Sequence, residues 1–123
     1  MKRIQHLIIA AMLVCGGPAL AASPLEGPLT KGGFKHLSGP QIRQAFVGRK
    51  FTDDVHFASE YKADGSILAV SMGKKRTNKF AVSENQLCVT DSFGEACYAV
   101  WKKGNEVRLI VGDSDFSLDG FLR

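Results

Sequence analysis

The chain has 123 residues, 45% of them hydrophobic and 23% charged, with a net charge of +4. This is the profile of one globular unit, and it excludes a disordered tail or a multi-span membrane protein. The charge is also too small for a nucleic-acid binder, and it shrinks further once the leader is set aside.

That leader comes first in the chain. Met1, Lys2 and Arg3 precede an apolar stretch over residues 7–14 and a small-residue end, Ala19-Leu20-Ala21, the pattern of a secretory signal spanning residues 1–21. The stretch falls well short of the roughly 20 residues that cross a membrane, and Gly16-Gly17-Pro18 interrupts it, so no transmembrane span is expected. A lipoprotein reading would acylate Cys15, but Val14 stands where such signals take a small residue. Cleavage after Ala21 leaves 102 residues with fourteen basic and twelve acidic side chains, a mature charge of about +2. A domain of this size buries about two-thirds of the surface of its unfolded chain, enough for a core without a metal. Export points to the periplasm or the outside of the cell. There the remaining cysteines, Cys88 and Cys97, are expected to form a disulfide. Their eight-residue gap is unlike Cys-x-x-Cys, so a redox-active pair is not expected.

Residues 22–36 have no period and read as an extended, mobile lead-in. The spacing of Leu37, Ile42, Ala45 and Phe46 predicts a short helix over residues 37–48, with Ser38 as N-cap, Pro40 in the first turn and Gly48 at the end. Short strands follow with turn signals about every ten residues. Over residues 55–62, Val55, Phe57 and Tyr61 face one way, His56, Glu60 and Lys62 the other, and Asp64-Gly65 supplies the hairpin turn. The return strand covers 66–72, a basic turn 73–78, and further strands 79–83, 86–90, 96–102, 106–111 and 115–122. Seven or so antiparallel strands leave exposed edges unless the sheet curls and closes. The expected fold is therefore mainly β: residues 37–123 form a small up-and-down barrel, or strongly coiled sheet, of about seven or eight strands with one short N-terminal helix.

The order of Leu37, Gly39, Ile42 and Phe46, then Gly48-x-x-Phe51, Tyr61-x-x-Asp64-Gly65, Leu87-Cys88, Cys97-Tyr98 and Gly104 resembles small secreted bacterial proteins with antiparallel barrels of the streptavidin or lipocalin kind. Those commonly carry Gly-x-Trp before the first cysteine, where this chain has Lys79-Phe80, with Trp101 after the second. The resemblance implies fold and export and assigns no catalytic or ligand residue.

Chemistry-bearing patterns are sparse. His36 and His56 read as surface residues, and Asp53-Asp54 as turn chemistry. Asp113, Asp115 and Asp119 depart from calcium-loop spacing. Gly-x-Ser-x-Gly does not occur. No enzyme activity, metal or cofactor is expected, and a monomer is. Two functions fit. In one, a hollow barrel is a binding module for a small apolar or amphipathic ligand, with Phe57, Tyr61 and Tyr98 among its lining and Phe80, Trp101 and Phe116 as further candidates. In the other, a filled barrel is an envelope-associated interaction or inhibitor-like module. Lys74, Lys75, Arg76 and Lys79, on a hairpin tip, would then meet an anionic partner.

Overall fold

The computed structural model describes residues 23–123. The leader, its cleavage point and Cys15 lie outside the described residues. Eight antiparallel strands close into a barrel: β2 (Lys50–Thr52), β3 (Phe57–Tyr61), β4 (Ser66–Ser71), β5 (Lys74–Ser83), β6 (Gln86–Asp91), β7 (Gly94–Lys103), β8 (Glu106–Ile110) and β9 (Ser117–Leu122). Each pairs with the next in sequence, and β9 returns to β2 through Phe51↔Leu122 and Thr52↔Phe121. Closure is the physical answer to the edge problem, because every strand finds two neighbours.

The register fixes which side chains point inward. Cross-strand partners share a face, and successive residues alternate. Phe51, Ser59, Ala69, Arg76 and Asn78 therefore belong to the inner face, as do Phe80, Val89, Tyr98, Val100, Leu109 and Leu122. Cys88 and Cys97, directly opposite each other, lie on the outer face and form a disulfide. Gly120 sits inward against Phe51, where an added Cβ would come within 2.7 Å of the ring.

One end of the barrel is sealed. Helix α2 (Gly39–Phe46) crosses it, and its N-terminus is set by Gln41, whose side chain accepts the Ser38 N–H at 2.9 Å, and by Pro40 in the first turn. The Gly39 N–H is taken by Asn85 Oδ1 at 2.7 Å, which ties the helix to the β5–β6 turn. Ile42 and Phe46 are fully buried, and Phe46 stacks edge-on against Tyr61, which in turn meets Phe80 edge-on. With Phe51, Ile67, Leu87, Val100 and Val107 these rings form a continuous packed floor.

Three elements differ from the sequence reading. Residues 22–36 were expected to be extended, yet the described part contains α1 (Glu26–Lys31) and β1 (Lys35–His36). β1 pairs with β7 through Lys35↔Lys102 and His36↔Trp101, so the chain N-terminal to α2 adds a ninth strand outside the barrel. His36 stacks on Trp101 at 5.1 Å, Arg108 lies over Phe34 at 4.9 Å, and Ser23 Oγ donates to the Ser114 carbonyl. These contacts hold a helix too short to show a period. Lys74 to Asn78, read as a turn, is the first half of β5, and only Met72-Gly73 turns there. Val55, expected to face inward with Phe57 and Tyr61, lies in the β2–β3 loop and is 80% exposed.

Candidate binding site at the open end of the barrel

Opposite α2 the barrel ends in four loops: 53–56, 72–73, 92–93 and 111–116. The first is built around Asp53. Its Oδ1 accepts the N–H groups of Val55, His56 and Phe57 at 3.0, 2.6 and 3.1 Å, and Oδ2 meets His56 Nδ1 at 2.7 Å. Desolvation raises the Asp53 pKa, but these backbone bonds, with the His56 side-chain bond, outweigh it and hold the carboxyl well below the usual carboxylate range. Thr52 adds a second tie: its hydroxyl donates to the Phe57 carbonyl and accepts the Asp54 N–H. Asp54 itself pairs with Arg123. That contact lowers the aspartate's pKa and raises the guanidinium's. Asp53-Asp54 is thus turn chemistry, as the sequence implied, and it fixes one wall of a groove.

The groove holds about 780 Å³ and runs over the outer face of β2, β3 and β4 up to the rim. Its apolar wall is Val55, Ala58, Val70 and Met72, its polar margin carries Lys50, Thr52, Asp54, His56 and Arg123, and Phe57 adjoins it with its ring turned inward against Phe51. Arg123 is already engaged by Asp54, whereas Lys50 makes no ion pair among the described residues. Two other pockets, of about 390 and 370 Å³, flank α2.

Of the three aromatic residues expected to line a cavity, only Phe57 adjoins this groove, and its ring faces the barrel interior, 5.4 Å from that of Phe51. Tyr61 faces inward, but at 3% exposure it is part of the packed floor rather than a lining residue, and burial pushes its hydroxyl pKa up, with a smaller push from Tyr98. A deep central cavity at the helix end is therefore excluded by the rings that fill it. Tyr98 is half-buried on the inner face nearer the mouth. Desolvation raises its pKa first and Asp91 second. Around it Ser59, Ala69, Asn78, Val89 and Ala96 face inward and are only partly buried, so the mouth is a shallow bowl above a solid floor. Phe80 packs in the floor, Trp101 points outward beneath His36, and Phe116 stands 65% exposed in a loop.

The basic residues lie beside the Met72-Gly73 hairpin tip but on a strand rather than in a turn. Lys74 and Arg76 follow the inner-face register and Lys75 and Lys79 the outer one, because all four lie on β5. Their side chains are exposed. Residues 74–78 pair with β4 alone, since β6 begins to pair only at Lys79↔Thr90. A strand segment with one free edge is a template for unwanted pairing, and lysine or arginine there blunts it. Asp119 is engaged by Arg108, at 3.4 Å, while Asp113 and Asp115 make no ion pair among the described residues. Cys88, Glu95 and Cys97 cluster within 4.8 Å, but both sulfurs are consumed in the disulfide.

Sequence reasoning missed Lys50, Thr52, Ala58, Val70, Met72 and Arg123 as groove residues. The alternation of β3 and β4 does mark Ala58 and Val70 as outward and apolar, which is the one signal available. Comparison with protein-family models, curated proteins and solved structures gives no match. No helix among the described residues is long and apolar enough to cross a membrane.

Proposed function

We propose that this is a non-catalytic, exported binding module, periplasmic or secreted, that takes a small amphipathic molecule with an apolar body and an anionic end. The groove beside the open mouth carries this reading. Four apolar side chains, Val55, Ala58, Val70 and Met72, form one wall, and Lys50, opposite Glu60 in the register but in no ion pair among the described residues, offers a positive charge. An apolar wall with few polar groups is the usual make-up of a small-ligand site. The export-signal pattern and the disulfide support an oxidising compartment.

The test is titration of the mature protein with a fluorescent medium-chain carboxylate. Val70→Glu, which places a like charge in the apolar wall, and Lys50→Glu, which removes the counter-charge, are each expected to weaken binding about tenfold or more. Ala96→Phe, which fills the bowl inside the barrel, is expected to leave it unchanged. If Ala96→Phe abolishes binding while Val70→Glu does not, the ligand sits in the mouth and the groove assignment fails. The other candidate function, an anionic partner on the basic residues, concerns a different surface, the exposed start of β5 beside the Met72-Gly73 turn.

A further inference from the structure

Large hydrophobic side chains that stand exposed are unevenly distributed over the barrel. Among the described residues there are six: Val55, Leu68, Met72, Phe93, Val111 and Phe116. All but Leu68 lie in or at the edge of the four loops of the open end, and every one of those loops carries at least one. Phe93 is 89% exposed and Met72 87%. Met72 also has φ +50, a left-handed conformation that a residue with this side chain adopts only at a local cost. Exposing a large apolar group on a strained turn is unfavourable in the free molecule, and a ring of such groups marks an interaction surface.

The charges around this ring say what fits it. In an eight-stranded closed barrel the loops at one end follow each other at quarter turns: 53–56, 72–73, 92–93, 111–116. The second is flanked by Lys74, Lys75 and Arg76, with no acidic residue from 65 to 83. The fourth, diametrically opposite, carries Asp113 and Asp115, with no basic residue from 109 to 122. In the third loop Asp91 accepts the Phe93 N–H at 2.7 Å, and in the first Asp53 and Asp54 are engaged as described. An anionic surface would attract one side of such a rim and repel the other. A rotated copy of the same rim is complementary to it.

We infer that the open end is a self-association surface, closed mouth to mouth by a second copy of this chain. A two-fold axis running through the first and third loops sets the basic loop of each copy against the acidic loop of the other, twice, and brings the two Phe93 side chains together near the axis. The alternative axis, through the second and fourth loops, opposes like charges, so electrostatics selects the first. This dimer differs from the monomer expected from sequence; it shares Val55 and Met72 with the groove, whereas Phe93 and the charged residues that would hold it lie outside the groove.

Analytical ultracentrifugation of the mature protein tests it. The wild type is expected to dimerise with a constant that weakens in high salt, and Phe93→Ser to weaken dimerisation about tenfold or more. A triple variant, Lys74→Glu, Lys75→Glu and Arg76→Glu, is expected to be monomeric, because both contacts become acidic on acidic. Asp113→Lys with Asp115→Lys is expected to be monomeric for the converse reason. Mixing these two variants restores both contacts and is expected to yield the heterodimer, which neither an unfolded variant nor another occupant of the surface reproduces. A single-chain mass at every concentration overturns the inference, as does a mixture that stays monomeric. If the monomer instead sediments with vesicles of anionic phospholipid through Phe93, a lipid surface is the occupant and the dimer is excluded.

Discussion

The two ends of the barrel solve the same geometric problem with opposite side chains. At the helix end the turns are polar: Asp64-Gly65, Glu84-Asn85 and Lys103-Gly104-Asn105, above an interior packed to the last ring. At the open end the turns present Val55, Met72, Phe93 and Phe116 to solvent, above an interior that is only partly filled. Glu84-Asn85 and Met72-Gly73 are both two-residue turns whose two residues have positive φ. The backbone requirement is the same in both, and Asn or Gly meets it at least cost. The choice of methionine in one and of polar residues in the other is therefore not dictated by the hairpin. Stability is concentrated at the closed end and surface chemistry at the open one.

The sharpest way to break this contrast is to truncate the same residue type at each end. Phe46→Ala removes a fully buried ring from the floor and is expected to cost about 3–5 kcal/mol in urea unfolding. Phe93→Ala removes a ring that is 89% exposed and is expected to change monomer stability by no more than about 0.5 kcal/mol. Equal losses would show that the open-end loops pack more tightly than their exposure implies.

The disulfide comes next in size. Cys88–Cys97 ties β6 to β7, whose connecting turn carries Phe93 at the open end. Closing a loop of this length stabilises by about 2.5–3 kcal/mol in the chain-entropy account. Reduction is expected to lower stability by up to that amount. Hydrogen exchange should localise the loosening to residues 88–97 and leave α2 protected. Uniform loss of protection would mean that the two ends unfold as one unit.

The parts of the fold that could be read from the sequence divide along the same line. The helix end was legible because its signals are local: Ser38, Pro40 and Gly48 bracket α2, and Asp64-Gly65 marks a turn whose Asp64 does accept the Ser66 N–H at 2.9 Å. The hairpin pair Cys88 and Cys97 was equally plain. The strand that closes the barrel, β2, was not, because three residues cannot display an alternation. The first half of β5 was hidden by its charge, since Lys74-Lys75-Arg76 looks like solvent-facing turn until the free edge beside it is seen. The groove is assembled from β2, β3, β4, two loops and the residue after β9, a juxtaposition that only the register creates.

Alkaline titration separates floor from mouth without changing a contact. Burial raises the Tyr61 hydroxyl above the ordinary value of 10.0, so above about pH 10 the unfolded chain loses this proton before the folded one does. The contribution is present below that pH and is lost as pH rises toward the folded value, at up to about 1.4 kcal/mol per pH unit. Tyr98 shifts in the same direction. Tyr61→Phe is expected to flatten the alkaline fall measured by urea unfolding from pH 9 to 11, while Tyr98→Phe, nearer the mouth, flattens it less. Reversal of that order would place the tighter burial at the open end.

The smallest effect bears most directly on what the open end is for. Met72→Asn keeps the turn and supplies a residue that tolerates φ +50, so it is expected to stabilise the monomer by about 0.5–1 kcal/mol. The same change removes an apolar tip from the rim and from the groove wall. Thermal unfolding should therefore improve while both self-association and binding of the carboxylate probe weaken. Glu84→Gly, placed at the corresponding first position of a helix-end turn, also relieves a left-handed residue but touches neither surface, so it should leave both activities unchanged. Gain of stability with loss of function at Met72, and not at Glu84, is what distinguishes a turn kept for its side chain from one kept for its shape.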